Sequence, residues 1–367
     1  MALFQDSPVR IQPYFGYRSR TALRLTARAL KATKPGFKQG GRWQAMRTMI
    51  AQFASREAEN IEVRLEYARP DGAVFEQTAI SDKEGFLHFD IDLSGPWDYP
   101  VHTAWEVATL QWYNRDGAQC VDGHILVPGQ DIDLGIISDI DDTIIETGIT
   151  GGLRSLLRNW QRVLAELPHE RIVVPGANLF YHALGGGSVR VEDSGEAGTR
   201  LPATHRPFFY VSSSPWNLYS YLVTFQRTRN LPLGPLLLRD WGLNSATFGK
   251  ASHGSHKVDA IKGILSKYSD LRFALIGDDS QGDLVAFSTI ASESPDQIAA
   301  VFIRTTEHEL SPDEVAAKAS ITSAGIPLWL GDSYAIGQDF LRAAGVTPHG
   351  DTSRIVETVE RREHHAH

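Results

Sequence analysis

The 367-residue chain has a single cysteine, Cys120. One thiol can form no internal disulfide and no cysteine zinc site, and a reduced compartment is the default expectation. No apolar run approaches the roughly 18–20 residues that a membrane-spanning helix needs. The first residues, MALFQDSPVRIQP, lack the apolar core of a secretory signal. No convincing internal repeat is present. These absences predict a cytoplasmic protein and remain compatible with peripheral attachment to a membrane.

Positive charge is scarce overall but unevenly placed. The net charge is −8, yet residues 1–56 hold eleven basic residues and one acid, Asp6, giving +10. The rest of the chain has 25 basic and 43 acidic residues, or −18. Such asymmetry fits an anionic partner, whether a membrane surface, nucleic acid or the protein's own acidic region. A solvated basic face is the plain alternative.

Residues 21–130 read mostly as β. EVRLEYA (62–68) and GFLHFDIDL (85–93) alternate apolar and polar residues, as half-buried strands do. PDG and KEG mark turns. ALRLTARAL, VATLQWY and GHILVP are further strands, and together they predict a small antiparallel sandwich. RWQAMRTMIAQFASRE interrupts them as a helix, with Met46, Met49, Ile50 and Phe53 on one face.

From residue 133 the pattern changes to short apolar runs, LGII, FFYV, FALI and AAVFI, separated by amphipathic segments. GLRSLLRNWQRVLAEL and VDAIKGIL have helical spacing. A polar, glycine-rich stretch, GGGSVRVEDSGEAGTRLP, reads as a loop. Buried parallel strands joined by helices make an open α/β sheet, whose ligands sit beyond the carboxyl ends of the strands.

Chemistry is therefore sought directly after each run. LGIIS leads into Asp139, Asp141, Asp142 and Thr143; FFYV into Ser212, Ser213, Ser214 and Pro215; FALI into Gly277, Asp278, Asp279 and Asp283. No basic residue neighbours the first acids. Asp139 and Asp141, two apart on extended chain, can point the same way. If their strands adjoin, Asp278 approaches that pair, and the cluster suits a hard cation such as Mg²⁺. Ser212 and Lys257 can hold phosphoryl oxygens, with Lys257 expected at a helix start. Pro215 fits helix position N1 with Ser214 as cap, aiming amides at an anion. A metal, a carboxylate nucleophile and phosphate donors point to phosphoryl transfer through an aspartyl phosphate. The plain alternative for D-x-D is a capped turn or a calcium loop, and the EF-hand pattern fails: Ile144 stands where its glycine belongs and Thr150 where its glutamate belongs.

GIISDIDDTIIETG, FFYVSSSPWNLYSYL, LRDWG, HK and LIGDDSQGD, over roughly residues 134–305, resemble the actin-patch-associated phosphatidate phosphatases and their bacterial relatives, within the haloacid dehalogenase superfamily. PYFGYRS and the β segment resemble, more loosely, the region preceding the catalytic domain in relatives. The resemblance implies a haloacid-dehalogenase-like parallel sheet with helices on both faces, Mg²⁺, and phosphatidate or a related phospholipid as substrate. Asp139 would be the nucleophile and a metal ligand. Asp141 would protonate the leaving group, activate water and lie at the metal. Thr143 would fix the loop, Ser212 and Lys257 would bind the phosphoryl group, Asp278 would complete the metal site, and Asp283 would orient Lys257 or a metal-bound water. Ser213 and Arg239 are further candidate substrate contacts. Relatives commonly read G-D-S-G-Q-x-D, whereas Asp279 and Ser280 stand in the middle here; Asp278 is the favoured ligand.

Competing readings accompany several positions. Arg239 can instead pair with Asp240. His256 can reach the site or cap a helix. Trp216 and Tyr219 can meet a lipid chain, although core packing is the commoner role at helical spacing. LWLGDS (328–333) lacks a following acid and falls outside the motif order, and Asp142 alternates away from its neighbours. The predicted organisation is a β-sandwich-like unit with a basic start (1–132), a phosphatase unit (133–350) and a tail (351–367). The predicted function is a Mg²⁺-dependent phosphomonoester hydrolase acting on a phospholipid, with contact to anionic membrane and no nucleic-acid partner. The alternatives are a phosphatase of soluble esters or phosphoproteins, and a membrane- or protein-binding module with a vestigial site.

Overall fold

The computed structural model describes residues 8–31, 56–68, 74–93, 97–132, 134–140, 177–187, 203–239, 251–279, 282–305 and 309–331, with residues 72, 95 and 201 between them. The predicted helix at 152–167, most of the one at 42–57, and the C-terminal tail lie outside these residues. The last two residues of the 42–57 stretch are strand, pairing with Leu30 and Lys31.

Among its described residues the first half forms nine strands: β1 (Val9–Pro13), β2 (Gly16–Arg18), β3 (Ala22–Lys31), β4 (Arg56–Glu57), β5 (Glu62–Ala68), β6 (Val74–Ile80), β7 (Phe86–Asp92), β8 (Ala104–Asn114) and β9 (Gly117–Val127). Their order is β1-β3-β2-β9-β8-β5-β6, with β4 and β7 also paired to β3. Among these strands β2 and β9 pair parallel and the other pairs antiparallel. Period-two patterning sets the buried face. Val63, Leu65 and Tyr67 of β5 meet Leu23 and Leu25 of β3, Leu87 and Phe89 of β7, and Leu110 of β8 in one core. KEG is a turn as predicted: Asp82 Oδ1 accepts the Glu84 and Phe86 amides at 2.9 and 2.8 Å. Gly85 there has φ +79°, a conformation that side chains resist.

Among the described residues the second half is a six-stranded parallel sheet of β10 (Leu134–Ser138), β11 (Phe208–Pro215), β12 (Leu236–Arg239), β13 (Arg272–Asp278), β14 (Ile298–Arg304) and β15 (Leu328–Gly331), ordered β12-β11-β10-β13-β14-β15. The LWLG run is thus a true strand at one edge. Five helices lie among the described residues: α1 (Ala177–Leu184), α2 (Tyr219–Thr228), α3 (Ala251–Leu265), α4 (Asp283–Glu293) and α5 (Pro312–Ser323). Alternate strand residues serve opposite faces. Ile136, Phe208, Tyr210 and Ile276 pack with α1 and α2; Ile137, Phe209, Val211 and Leu275 pack with α3, α4 and α5. Burial on both faces explains why these strands read as continuous apolar runs.

β10 comes first in this sheet, yet lies between β11 and β13. The connections leave it in opposite directions, which opens a crevice at its carboxyl end.

The two halves are packed together. Tyr14 and Phe86 join one core of the parallel sheet, Tyr17, Trp105 and Leu126 the other, and the Tyr268 hydroxyl donates to the Arg18 carbonyl at 3.0 Å. Four of the eleven early basic residues are engaged locally, Arg18 with Glu106, Arg20 with Asp98, Arg24 with Asp90 and Arg28 with Glu57. The charge of those four is therefore answered within the fold. No helix among the described residues is long and apolar enough to cross a membrane.

Candidate active site

β10, pinned between two parallel neighbours, carries Asp139 straight out of its last residue. The Asp139 amide donates to the Ile276 carbonyl of β13 at 2.8 Å. Just before it, the Ser138 hydroxyl donates to the Asp139 carbonyl at 2.6 Å and pairs with the Tyr181 hydroxyl at 2.6 Å. Tyr181 lies on α1, in the long segment between the first two runs; it is not among the residues singled out from the sequence, and the helical spacing of ANLFYHAL is the one local signal that could have placed it. Ser138 lies opposite Tyr210 and Ile276. Continued by register, the carboxyl ends of β11 and β13 bring Ser212 and Asp278 level with the residue after Asp139.

Asp139, Asp278 and Asp283 each offer one carboxylate oxygen within 4.8 Å of the others, and all three are buried. Lys257 reaches them from α3. Its Nζ is 3.0 Å from Asp139 Oδ1 and also bonds Asp283 Oδ1. The other Asp283 oxygen accepts the Asp278 amide at 3.2 Å. Asp283 thus ties Lys257 to the end of β13. Gly277 makes this possible, because a Cβ there would lie 2.5 Å from Asp283 Oδ2.

Burial alone would discharge the Lys257 ammonium. The Asp139, Asp283 and Asp278 carboxylates outweigh it and hold the pKa above the ordinary lysine value. One ammonium among three carboxylates leaves room for a cation. The all-oxygen donor set is that of a hard divalent ion and fits Mg²⁺. A carboxylate of this group can attack an electrophile, and the Lys257 ammonium can offset the charge of an anion beside it.

Ser212 is wholly buried and Ser213 and Ser214 nearly so. The Ser212 Oγ accepts the Ser214 amide at 2.9 Å. Arg239 is buried at the carboxyl end of β12, opposite Pro215, and burial lowers its pKa. Asp279 is buried, its amide donating to the Arg304 carbonyl at 3.1 Å. Asp141, Asp142, Thr143, Asp240 and Ser280 lie outside the described residues.

Three local expectations are corrected. Pro215 is not N1 of a helix capped by Ser214: it ends β11 and is itself the N-cap of a 3₁₀ turn, Trp216–Leu218, with φ −72°, ψ 153°. The strand simply runs further than the apolar letters. Lys257 does not start a helix, since α3 begins at Ala251 and Lys257 lies in its second turn. His256 consequently neither caps the helix nor joins the carboxylates. Roughly 100° around the helix from Lys257, it lines a cavity of about 360 Å³ with Leu237, Trp216, Tyr17 and Arg24. Burial lowers its pKa. Tyr219 is core, and Trp216 stacks on Tyr14 with ring centroids 4.5 Å apart.

Residues 134–305 match the family model for the catalytic domain of the phosphatidate phosphatase APP1. The chain is 33% identical over 178 residues to Phosphatidate phosphatase APP1 of Saccharomyces cerevisiae, covering 48% of this chain and 27% of that protein. It is 28% identical over 207 residues to an uncharacterized protein of Schizosaccharomyces pombe, covering 52% of this chain and 30% of that protein. The chain thus spans under a third of the length of these relatives. A Bifidobacterium dentium β-glucuronidase structure aligns at 11% identity and a TM-score of 0.25, over 96% of this chain and 66% of that one, a likeness too slight to bear on the fold.

Proposed function

We propose that this protein is a Mg²⁺-dependent phosphomonoester hydrolase that works through an aspartyl phosphate, with phosphatidate or a related phospholipid as its substrate. The observation that carries the reading is the meeting of Asp139, Asp278, Asp283 and Lys257 at the carboxyl end of β10. The match of residues 134–305 to a phosphatidate phosphatase catalytic domain supports the substrate class. The parallel sheet is read as haloacid-dehalogenase-like, and the first half as a β-sandwich-like unit preceding it.

Asp139 attacks phosphorus and the ester bond breaks. Asp141 gives the departing alkoxide its proton, which a plain alcohol needs in order to leave. Asp141 then takes a proton from water, the water oxygen attacks the aspartyl phosphate, and inorganic phosphate leaves with Asp139 restored. Lys257 holds Asp139 in place and offsets charge on the phosphoryl oxygens, while Asp283 keeps the ammonium on station. Thr143 fixes the loop after the nucleophile. Ser212 and Ser213 donate to phosphoryl oxygens, and Arg239 reaches the substrate from the next strand. Asp139, Asp141, Asp278 and Asp283 are the residues that would hold a Mg²⁺ ion, which would supply further neutralisation of phosphoryl charge. The basic residues near the N-terminus contribute attraction to an anionic surface, about 1 kcal/mol for each one close to it.

A panel of phosphomonoesters, with Mg²⁺ and with chelator, tests the reading. Phosphate should be released from phosphatidate in mixed micelles, only with metal, and faster than from sugar phosphates or phosphopeptides. Metal-dependent turnover confined to soluble esters would remove the lipid assignment.

A further inference from the structure

The three serines at the end of β11 lie in an irregular stretch. Pairing with β12 is regular at Tyr210 and Val211, then shifts register before Pro215 meets Arg239. The 3₁₀ turn that follows starts from Pro215 with no side-chain cap. Yet the turn is held from outside its own sheet, by residues about 200 positions earlier. The Tyr14 ring stacks on Trp216 at 4.5 Å, with 24° between planes. Arg28 Nη1 donates to Asn217 Oδ1 at 2.6 Å. The Phe15 amide donates to the Tyr219 hydroxyl at 2.8 Å, and Gln12 donates to Ser220 Oγ at 3.1 Å. Four successive contacts thus fall on residues 216–220.

Arg28 is the rigid member. It is 8% exposed. Its Nε donates to the Glu84 carbonyl at 2.9 Å, its Nη2 pairs with Glu57 at 3.0 Å, and the guanidinium lies over the Phe86 ring at 4.7 Å. A planar fork fixed on two sides presents its third edge in one place.

We propose that Arg28 is a positioning residue: through Asn217 the N-terminal strands hold the Trp216–Leu218 turn, and so keep the Ser212–Ser214 end of β11 just before it in the geometry that receives the phosphoryl group. The consequence for turnover rests on the phosphatase reading; the clamp on the turn does not. The first half of the chain is then a working part of the site rather than a separate module.

The test uses the full chain with Arg28→Met, Asn217→Ala, the double variant and Asn217→Asp. Hydrogen exchange over residues 208–220 should rise in both single variants and stay near the parent in Asn217→Asp, which keeps an acceptor. With Mg²⁺ and a phosphomonoester, kcat should fall about tenfold in each single variant with KM changed under threefold, since displacements of an ångström can cost about a hundredfold. The double variant should be no slower than the worse single one, because both remove one contact. Asn217 is exposed at the surface, so its replacement keeps the test open if Arg28→Met does not fold. Unchanged exchange in Asn217→Ala, full kcat in that variant, or losses that multiply in the double variant would overturn the inference. Raised exchange in a parent background with no phosphatase activity would support the clamp and sink the phosphatase reading.

Discussion

Replacing Gly277 with alanine adds one methyl group and should disable the site. The new Cβ would lie 2.5, 2.7 and 2.9 Å from Oδ2, Cβ and Cγ of Asp283. Ordinary contacts between such atoms begin near 3.4 Å, so about half an ångström to an ångström of overlap must be relieved. The strand end is locked in the sheet, with Gly277 opposite Ile303. The displacement therefore passes to Asp283 and the first turn of α4. Overpacking a core in this way costs about 1–3 kcal/mol. Asp283 also leaves its bonds to Lys257 and the Asp278 amide, and a misplacement near an ångström costs about a hundredfold in rate. Gly263→Ala is the matched control: it lies inside α3, and among the described residues its Cβ would meet Arg24 Nη1 at an ordinary 3.6 Å. That change should stabilise by about 0.5–1 kcal/mol. Urea unfolding and kcat with Mg²⁺, measured on both variants, decide it. A Gly277→Ala protein as stable and as fast as the parent would refute the argument that Asp283 must lie against the strand.

Two predictions concern the first half. Burial pushes the Tyr14 hydroxyl up to about 12 against the opposing influence of Arg28. The folded state then disfavours the phenolate, so stability is full below the ordinary tyrosine pKa near 10 and drains as pH rises towards 12, by about 1.4 kcal/mol at pH 11. Tyr14→Phe should remove that share of the alkaline loss, read as the change in urea midpoint between pH 9 and 11; an identical change in parent and variant would contradict it. Arg18 is 1% exposed and grips Glu106 with two bonds, at 2.8 and 2.6 Å, while also donating to Tyr67. Arg18→Met leaves a carboxylate facing a vacated pocket and should cost about 3–5 kcal/mol in urea unfolding, whereas a loss under 1 kcal/mol would mean that the pair is readily replaced.

The α/β half was legible where burial on both faces turns strands into plain apolar runs. LGII, FFYV, FALI and AAVFI all lie in the parallel sheet, and the residues after three of them supply Asp139, Ser212 and Asp278. β12 was not read as a strand, because LLLR is only four residues between a proline-rich stretch and the LRDWG motif. β6 escaped as well: its pattern alternates exposed with half-buried residues, so neither face carries a strong apolar signal. The start of α3 was misplaced because serine, glycine and histidines stand where apolar periodicity was sought. The resemblance has Asp283 orient either Lys257 or a metal-bound water, and in the structure Asp283 bonds Lys257. What local pattern could not show is the grip of Tyr14 and Arg28 on residues 216–217, since contacts across some 200 residues leave no periodic trace.

The central claim is that Asp139 carries the phosphoryl group. Rapid quenching of the enzyme with ³²P-labelled phosphatidate and Mg²⁺ tests it most directly. The parent should yield acid-stable, hydroxylamine-labile label on the peptide containing Asp139, with Asp139→Asn folded yet unlabelled and at least a thousandfold slower. Turnover retained by Asp139→Asn, or parental turnover with no label on that peptide, would contradict the account.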